Sequence, residues 1–191
     1  MGERDAESSR VASRDAGLAV RVRRGLPEDA EGIATLLSAV SRESPFLGAV
    51  GISPSVEHLR VLLRPGETRI VVVVAASAEA PSRVVGYAHA VAGLASTMRH
   101  VGTVAVAVDA AFRGQGIGTR LLKRLVDEGQ KLGWVRLRAS VWANNAGSRR
   151  LFEQVGFRQD ARIPEQLMDQ DGRLVDEIVY GYRLRGAVQA R

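Results

Sequence analysis

No cysteine occurs in the 191 residues, which excludes disulfides, thiolate metal sites and a cysteine acyl-enzyme. Lysine is scarce too: only Lys123 and Lys131 are present, so the formal charge of +6 rests on arginine. The arginines are scattered, with no aromatic interleaving and no run longer than two, which is not a nucleic-acid footprint. They give a field that favours anionic ligands. Long hydrophobic runs are missing. Residues 70–76 are apolar but far too few to cross a bilayer, and they read as a buried strand. Residues 1–16 are polar and mixed in charge, with no secretory core, so a cytoplasmic protein without a membrane partner is expected. There is no internal repeat and no low-complexity segment. The length suits one domain, placed at residues 18–185, with a disordered tail at 1–17 and a short tail at 186–191.

What is present is concentrated in residues 103–122, TVAVAVDAAFRGQGIGTRLL. Val104, Val106 and Val108 alternate with Thr103, Ala105 and Ala107, the period of a strand. Gly114, Gly116 and Gly118 follow at spacing two. Ile117, Leu121, Leu122, Leu125 and Val126 then recur at helical spacing. Glycine permits positive φ and removes the Cβ that would hold a ligand off. A helix start supplies N–H groups without partners and a partial positive charge. Together they make an anion site suited to phosphate, and Arg113 adds a permanent cation. A P-loop needs Lys and then Ser or Thr after its last glycine, whereas Gly118 is followed by Thr119 and Arg120. A dinucleotide fingerprint needs G-x-G-x-x-G and a later acid; here the spacing is G-x-G-x-G, and Arg136 and Arg138 stand where the acid would be. A turn with no ligand would carry the entropy cost of three glycines without return.

The rest of the chain supplies the frame. Strands are predicted at residues 18–23, 69–76, 84–91, 100–108, 135–142, from 157 to about 162, and 177–184. The second and third are expected to pair antiparallel. Pro27 opens a helix carrying Ile33, Leu36, Leu37 and Val40, which runs to about Ser41. Ser53-Pro54 caps a second helix to about Leu63; Gly133 ends the third; Asn145 caps a fourth that Gly156 closes. The class is α/β with a mixed sheet.

Two stretches carry a family resemblance. Arg113-Gly114-Gln115-Gly116-Ile117-Gly118 resembles the R/Q-x-x-G-x-G/A pyrophosphate loop of the GNAT superfamily of N-acetyltransferases, with Val108 at that family's apolar strand end. NAGSRRLFEQVGF, beginning at Asn145, resembles its second signature. The likeness covers roughly residues 19–185. It implies a mostly antiparallel sheet of six to seven strands, flanked by about four helices and splayed between the fourth and fifth strands. It implies acetyl-CoA as co-substrate, with no metal. Val106 and Val108 would bond its pantetheine arm by main chain. Arg113, Gly114, Gln115, Gly116, Ile117, Gly118 and Thr119 would hold the diphosphate, and Asn145 and Ser148 would contact the arm. Residues 41–53 would cover the acceptor. A homodimer follows from family habit alone.

Acetyl transfer needs a neutral amine, and a primary amine of pKa about 10.4 is neutral in less than roughly one part in a thousand at pH 7. Two residues that many members use are replaced: Gly102 stands for a strand Glu that acts as base, and Phe152 for a helix Tyr that acts as acid. His100 shares strand parity with Gly102 and is the candidate base through water. His89, Tyr87, Glu43, Tyr180 and Tyr182 are weaker candidates. With no cysteine, direct attack in a ternary complex is the simpler route. The C-terminal QDGRLVDEIVY resembles members that acetylate small amines, with Asp176 and Glu177 read as shaping a strand. The expected acceptor is a small primary amine; a protein N-terminus or Lys, or a catalytically silent acyl-CoA-binding module, are the alternatives.

Overall fold

A computed structural model describes residues 20–43, 55–64, 69–77 and 83–184. Within them lie β1 (Val20–Arg24), α1 (Ala30–Glu43), α2 (Val56–Leu62), β2 (Ile70–Ser77), β3 (Val84–Ala92) and β4 (Val101–Val108). After these come α3 (Ile117–Lys131), β5 (Arg136–Trp142), α4 (Ala146–Val155), β6 (Arg158–Met168) and β7 (Leu174–Arg183). The strands form one sheet in the order β1-β2-β3-β4-β5-β7-β6. Every neighbouring pair is antiparallel except β4 and β5. The expected mixed, mostly antiparallel sheet and its helices are present.

Each sheet face has its own core. On one, α3 lays Ile117, Leu121, Leu122 and Leu125, and α4 lays Phe152, on Val85, Val104, Leu137, Ile178 and Tyr180. On the other, α1 and α2 lay Ile33, Leu36, Leu37, Val40 and Leu59 on Val72, Val74, Tyr87 and Ala107. The alternation read in β4 is therefore real: Val104, Val106 and Val108 belong to the α3 side, and Ala107 to the α1 side. Burying these side chains stabilises each face by about 1.5–3 kcal/mol per large residue.

Several boundaries differ from expectation. Pro27–Asp29 forms a 3-10 turn ahead of α1. Its buried Asp29 takes a two-pronged contact from Arg23 at 2.6 and 2.8 Å. Ser55 caps α2, its hydroxyl oxygen accepting from the His58 N–H at 3.2 Å; the expected Ser53-Pro54 start lies outside the described residues. β6 runs past Arg162 to Met168 because the register shifts between Ile163 and Leu167, where Pro164 sits and Glu165 takes φ 52°. Proline lacks a ladder donor and is tolerated at such an irregularity of an edge strand. β7 starts three residues before Glu177, since the Asp169 carboxylate accepts from the Asp171 and Arg173 N–H groups and closes the hairpin tightly. The expected tails and the loop over residues 44–54 lie outside the described residues.

Candidate functional site

β4 delivers the chain to a short turn, Ala110–Phe112, capped by the Asp109 carboxylate accepting from Ala111 N–H at 2.9 Å. Buried Phe112 and Ile117 pin the loop at both ends, and Arg113, Gly114, Gln115 and Gly116 between them are exposed. Gly114 (φ 77°) and Gly116 (φ 74°) both sit in the left-handed region. The loop therefore curls back over the helix start without a Cβ penalty. The first backbone bond of α3 runs from Arg120 N–H to Gly116 C=O. The N–H groups of Ile117, Gly118 and Thr119 are thus left without intrahelical acceptors. Among the described residues no side chain caps them, and no acid lies in the first turn. Gly118 has a different reason: a Cβ there would stand 3.0 Å from the Leu151 side chain, so it lets α4 approach α3.

Beside this cradle the sheet opens. β4 and β5 are in register only from Val101↔Arg136 to Val104↔Ala139. Asp109 N–H bonds Val85 C=O at 3.0 Å and Gly93 N–H bonds Val101 C=O at 3.1 Å. Odd-numbered residues of β4 thus turn their backbone groups to β3, and even-numbered ones to β5. Val106 and Val108 come after the last β5 partner, so their backbone groups face the gap. Arg113 Nε donates to Val108 C=O at 3.0 Å, and its guanidinium lies 3.3 Å from Glu43 at the end of α1.

α4 borders the gap. Asn145 Oδ1 accepts from Ser148 N–H at 3.0 Å and caps the helix. That uses the oxygen and leaves the amide its two donors. Asn145 and Ser148 are both half-buried, and Leu151, one turn beyond Ser148, lies against Gly118.

The proposed proton carriers are dispersed. His100 is exposed in the turn before β4 and uses its carbonyl to accept from Val135 and Arg136 N–H groups. It lies at the paired end of β4, roughly 26 Å along the strand from Val108. The structure does not bring it to the loop or the gap; parity sets a face, not a position along the strand. The site where the family resemblance calls for Glu is filled, because a Cβ at Gly102 would stand 2.4 Å from the Trp134 ring. Tyr180 is fully buried, stacks on Phe152 and donates to Glu153 Oε1 at 2.7 Å; burial and the Glu153 carboxylate both hold its hydroxyl protonated. Tyr182 packs on Phe157 on the same side. Tyr87 is buried under α1, and burial raises its hydroxyl far above the ordinary range.

His89 is partly buried on β3, opposite Ala105 of β4, with Nδ1 shut from solvent and without a hydrogen-bond partner among the described residues. Burial pushes its imidazole down from 6.5 to about 4. The folded chain keeps it neutral where the unfolded chain takes a proton. Its contribution to stability is therefore complete above the unfolded pKa and is lost as pH falls from about 6.5 to about 4, in total at most ~3 kcal/mol. The His89→Gln variant should show a flatter dependence of urea midpoint on pH across that window than the parent. Equal slopes would show that His89 does not carry the effect.

The sequence profile described as the Acetyltransferase (GNAT) family matches residues 40–157. Among curated proteins, an L-methionine sulfoximine/L-methionine sulfone acetyltransferase from Salmonella typhimurium is 36% identical over 73 residues, covering 38% of this chain and 40% of that one. A ribosomal protein bS18-alanine N-acetyltransferase from Escherichia coli is 37% identical over 68 residues, covering 36% of this chain and 46% of its own. The matched stretches thus span less than half of those relatives. A GNAT superfamily phosphinothricin acetyltransferase from Sinorhizobium meliloti, in complex with AcCoA, superposes with TM-score 0.77 at 22% identity, covering 90% of this chain and 92% of its own. A GNAT acetyltransferase from Streptococcus pneumoniae does so with TM-score 0.77 at 21% identity, covering 86% and 99%. These two share the fold. The profile takes in the glycine loop, the gap and α4, and more than half of the chain: the protein belongs to the acetyltransferase (GNAT) family.

Proposed function

We propose that the protein is an acetyl-CoA-dependent N-acetyltransferase acting on a small primary amine by direct attack in a ternary complex. One observation carries this: a helix start with no side-chain cap and no acid in its first turn stands next to a strand edge that, among the described residues, has no β5 partner beyond Val104. The first suits a diphosphate and the second an extended amide chain, and acetyl-CoA joins the two. The N–H groups of Ile117, Gly118 and Thr119 would bind the diphosphate, with Gly114, Gln115 and Gly116 shaping the cradle. Arg113 would supply charge after exchanging its Glu43 contact. Val106 and Val108 would pair with the pantetheine amides, and the Asn145 amide and Ser148 would border the arm. The unmatched N–H groups facing the gap would also meet the oxyanion of the tetrahedral intermediate. Bound this way, the thioester lies between β4 and β5, and the amine enters from the α1 side of the sheet.

The relatives favour a small acceptor on one side, through methionine sulfone and phosphinothricin, and a protein N-terminus on the other, through bS18. Thiol release from acetyl-CoA should be followed across amino acids, L-methionine sulfone, phosphinothricin, polyamines, aminoglycosides and peptides. Release with one small-amine class supports the proposal. Tight acetyl-CoA binding with no release for any amine would mark a silent binding module. His100→Ala should leave both turnover and its pH profile unchanged in that assay; a shifted profile would restore His100 to the mechanism.

A further inference from the structure

One side chain ties the glycine loop to α1. Arg113 opens the loop after β4, and Glu43 is the last residue of α1, 70 positions earlier. Arg113 Nε donates to Val108 C=O at 3.0 Å, and its Nη2 lies 3.3 Å from Glu43 Oε2. A single guanidinium therefore separates the Glu43 carboxylate from the strand edge that faces the gap. Two features mark this pair as one that exchanges. Its side chains are 48% and 47% exposed, and a solvated pair of this kind is weak. Glu43 also stands in the last turn of α1, where the helix dipole disfavours a carboxylate. An acid that holds this fold together looks different: Asp29 is buried and takes two bonds from Arg23 at 2.6 and 2.8 Å.

A diphosphate at the start of α3 competes with Glu43 for the same guanidinium. Arginine grips a phosphate with two parallel charge-assisted bonds, a stronger contact than the half-solvated one it gives up. Glu43 then loses its cation while standing beside the gap, on the α1 side where the amine enters. We propose that acetyl-CoA binding uncovers Glu43 as the acceptor-positioning residue. Its carboxylate pairs with Arg113 in the free protein and with the primary ammonium of the acceptor once the diphosphate has taken Arg113. This rests on the acetyltransfer reading. The exchange makes binding ordered, with the cofactor before the amine, because the ammonium site is masked until the cofactor arrives. It also selects acceptors that bring a positive charge.

Glu43→Gln removes the charge and keeps the size. Calorimetry on the full chain should show acetyl-CoA bound about 2- to 5-fold more tightly than by the parent, because the competing anion at Arg113 is gone. In an Arg113→Gln background the same substitution should leave the affinity unchanged, since the exchange needs both partners. KM for L-methionine sulfone, or for whichever amine the parent acetylates, should rise about 10-fold, more than kcat falls, as a charge-assisted bond is lost. The melting temperature should stay within about 2 °C of the parent. Unchanged acetyl-CoA affinity in the single variant overturns the inference, and so does an unchanged KM. A melting temperature lowered by more than about 4 °C overturns it too, by making Glu43 a structural group. If the parent releases thiol with no amine, the acetyltransfer reading fails and the acceptor role falls with it. The two affinity measurements then still decide whether Glu43 competes for Arg113.

Discussion

Gly116→Asp should remove acetyl-CoA binding while leaving the fold intact. A Cβ at Gly116 meets nothing within 4 Å, so there is no clash to unfold the chain. The residue sits at φ 74°, where Asp is strained by about 1 kcal/mol and is among the side chains that tolerate it best. The consequence is electrostatic. A fixed carboxylate would stand at the N-terminus of α3, beside N–H groups that no side chain now caps. It would occupy those donors and repel a diphosphate a few ångströms away, each charge pair costing on the order of 1–4 kcal/mol. Calorimetry should register a loss of about 100-fold or more in affinity, with a melting temperature near that of the parent. Gly116→Ala, which adds strain without charge, should lose far less. Unchanged affinity in the Asp variant would remove the glycine loop as the anion site.

Gly102 behaves in the opposite way, through sterics. Its Cβ would stand 2.4 and 2.6 Å from two atoms of the Trp134 ring and 3.0 Å from Leu137. Trp134 is buried and Leu137 fully so, and a ring in a packed core cannot swing aside as a flexible chain end can. Gly102→Ala should destabilise by about 1–3 kcal/mol in urea unfolding. Gly102→Glu, which restores the residue that the family resemblance calls for, adds a buried charge to the overpacking. It should exhaust much of the roughly 5–15 kcal/mol that holds an ordinary domain together. A folded Gly102→Glu variant with a normal midpoint and faster turnover would contradict this. The missing carboxylate is thus a packed feature of the molecule.

The two variants mark the line between what was legible in the sequence and what was not. Residues 103–122 announced a strand, a loop and a helix because local chemistry decides them: alternation sets a strand's faces, and glycine at positive φ with an uncapped first turn makes an anion cradle. Asn145 could be read as a cap for the same reason. The sequence alone therefore determined the family, the sheet class and the glycine loop that opens α3. Position along a strand and the company a side chain keeps depend on distant partners, and those only the tertiary structure decided. His100 shares the parity of Gly102 but lies at the paired end of β4, whereas the gap opens only beyond Val104. Glu177 read as strand filler. Its register partners Trp142 and Ile163 are 35 and 14 positions away in the chain and sit beside it only because β5 and β6 both pair with β7. A pattern of residues encodes which way a side chain points. Whether it finds a partner is settled by long-range pairing.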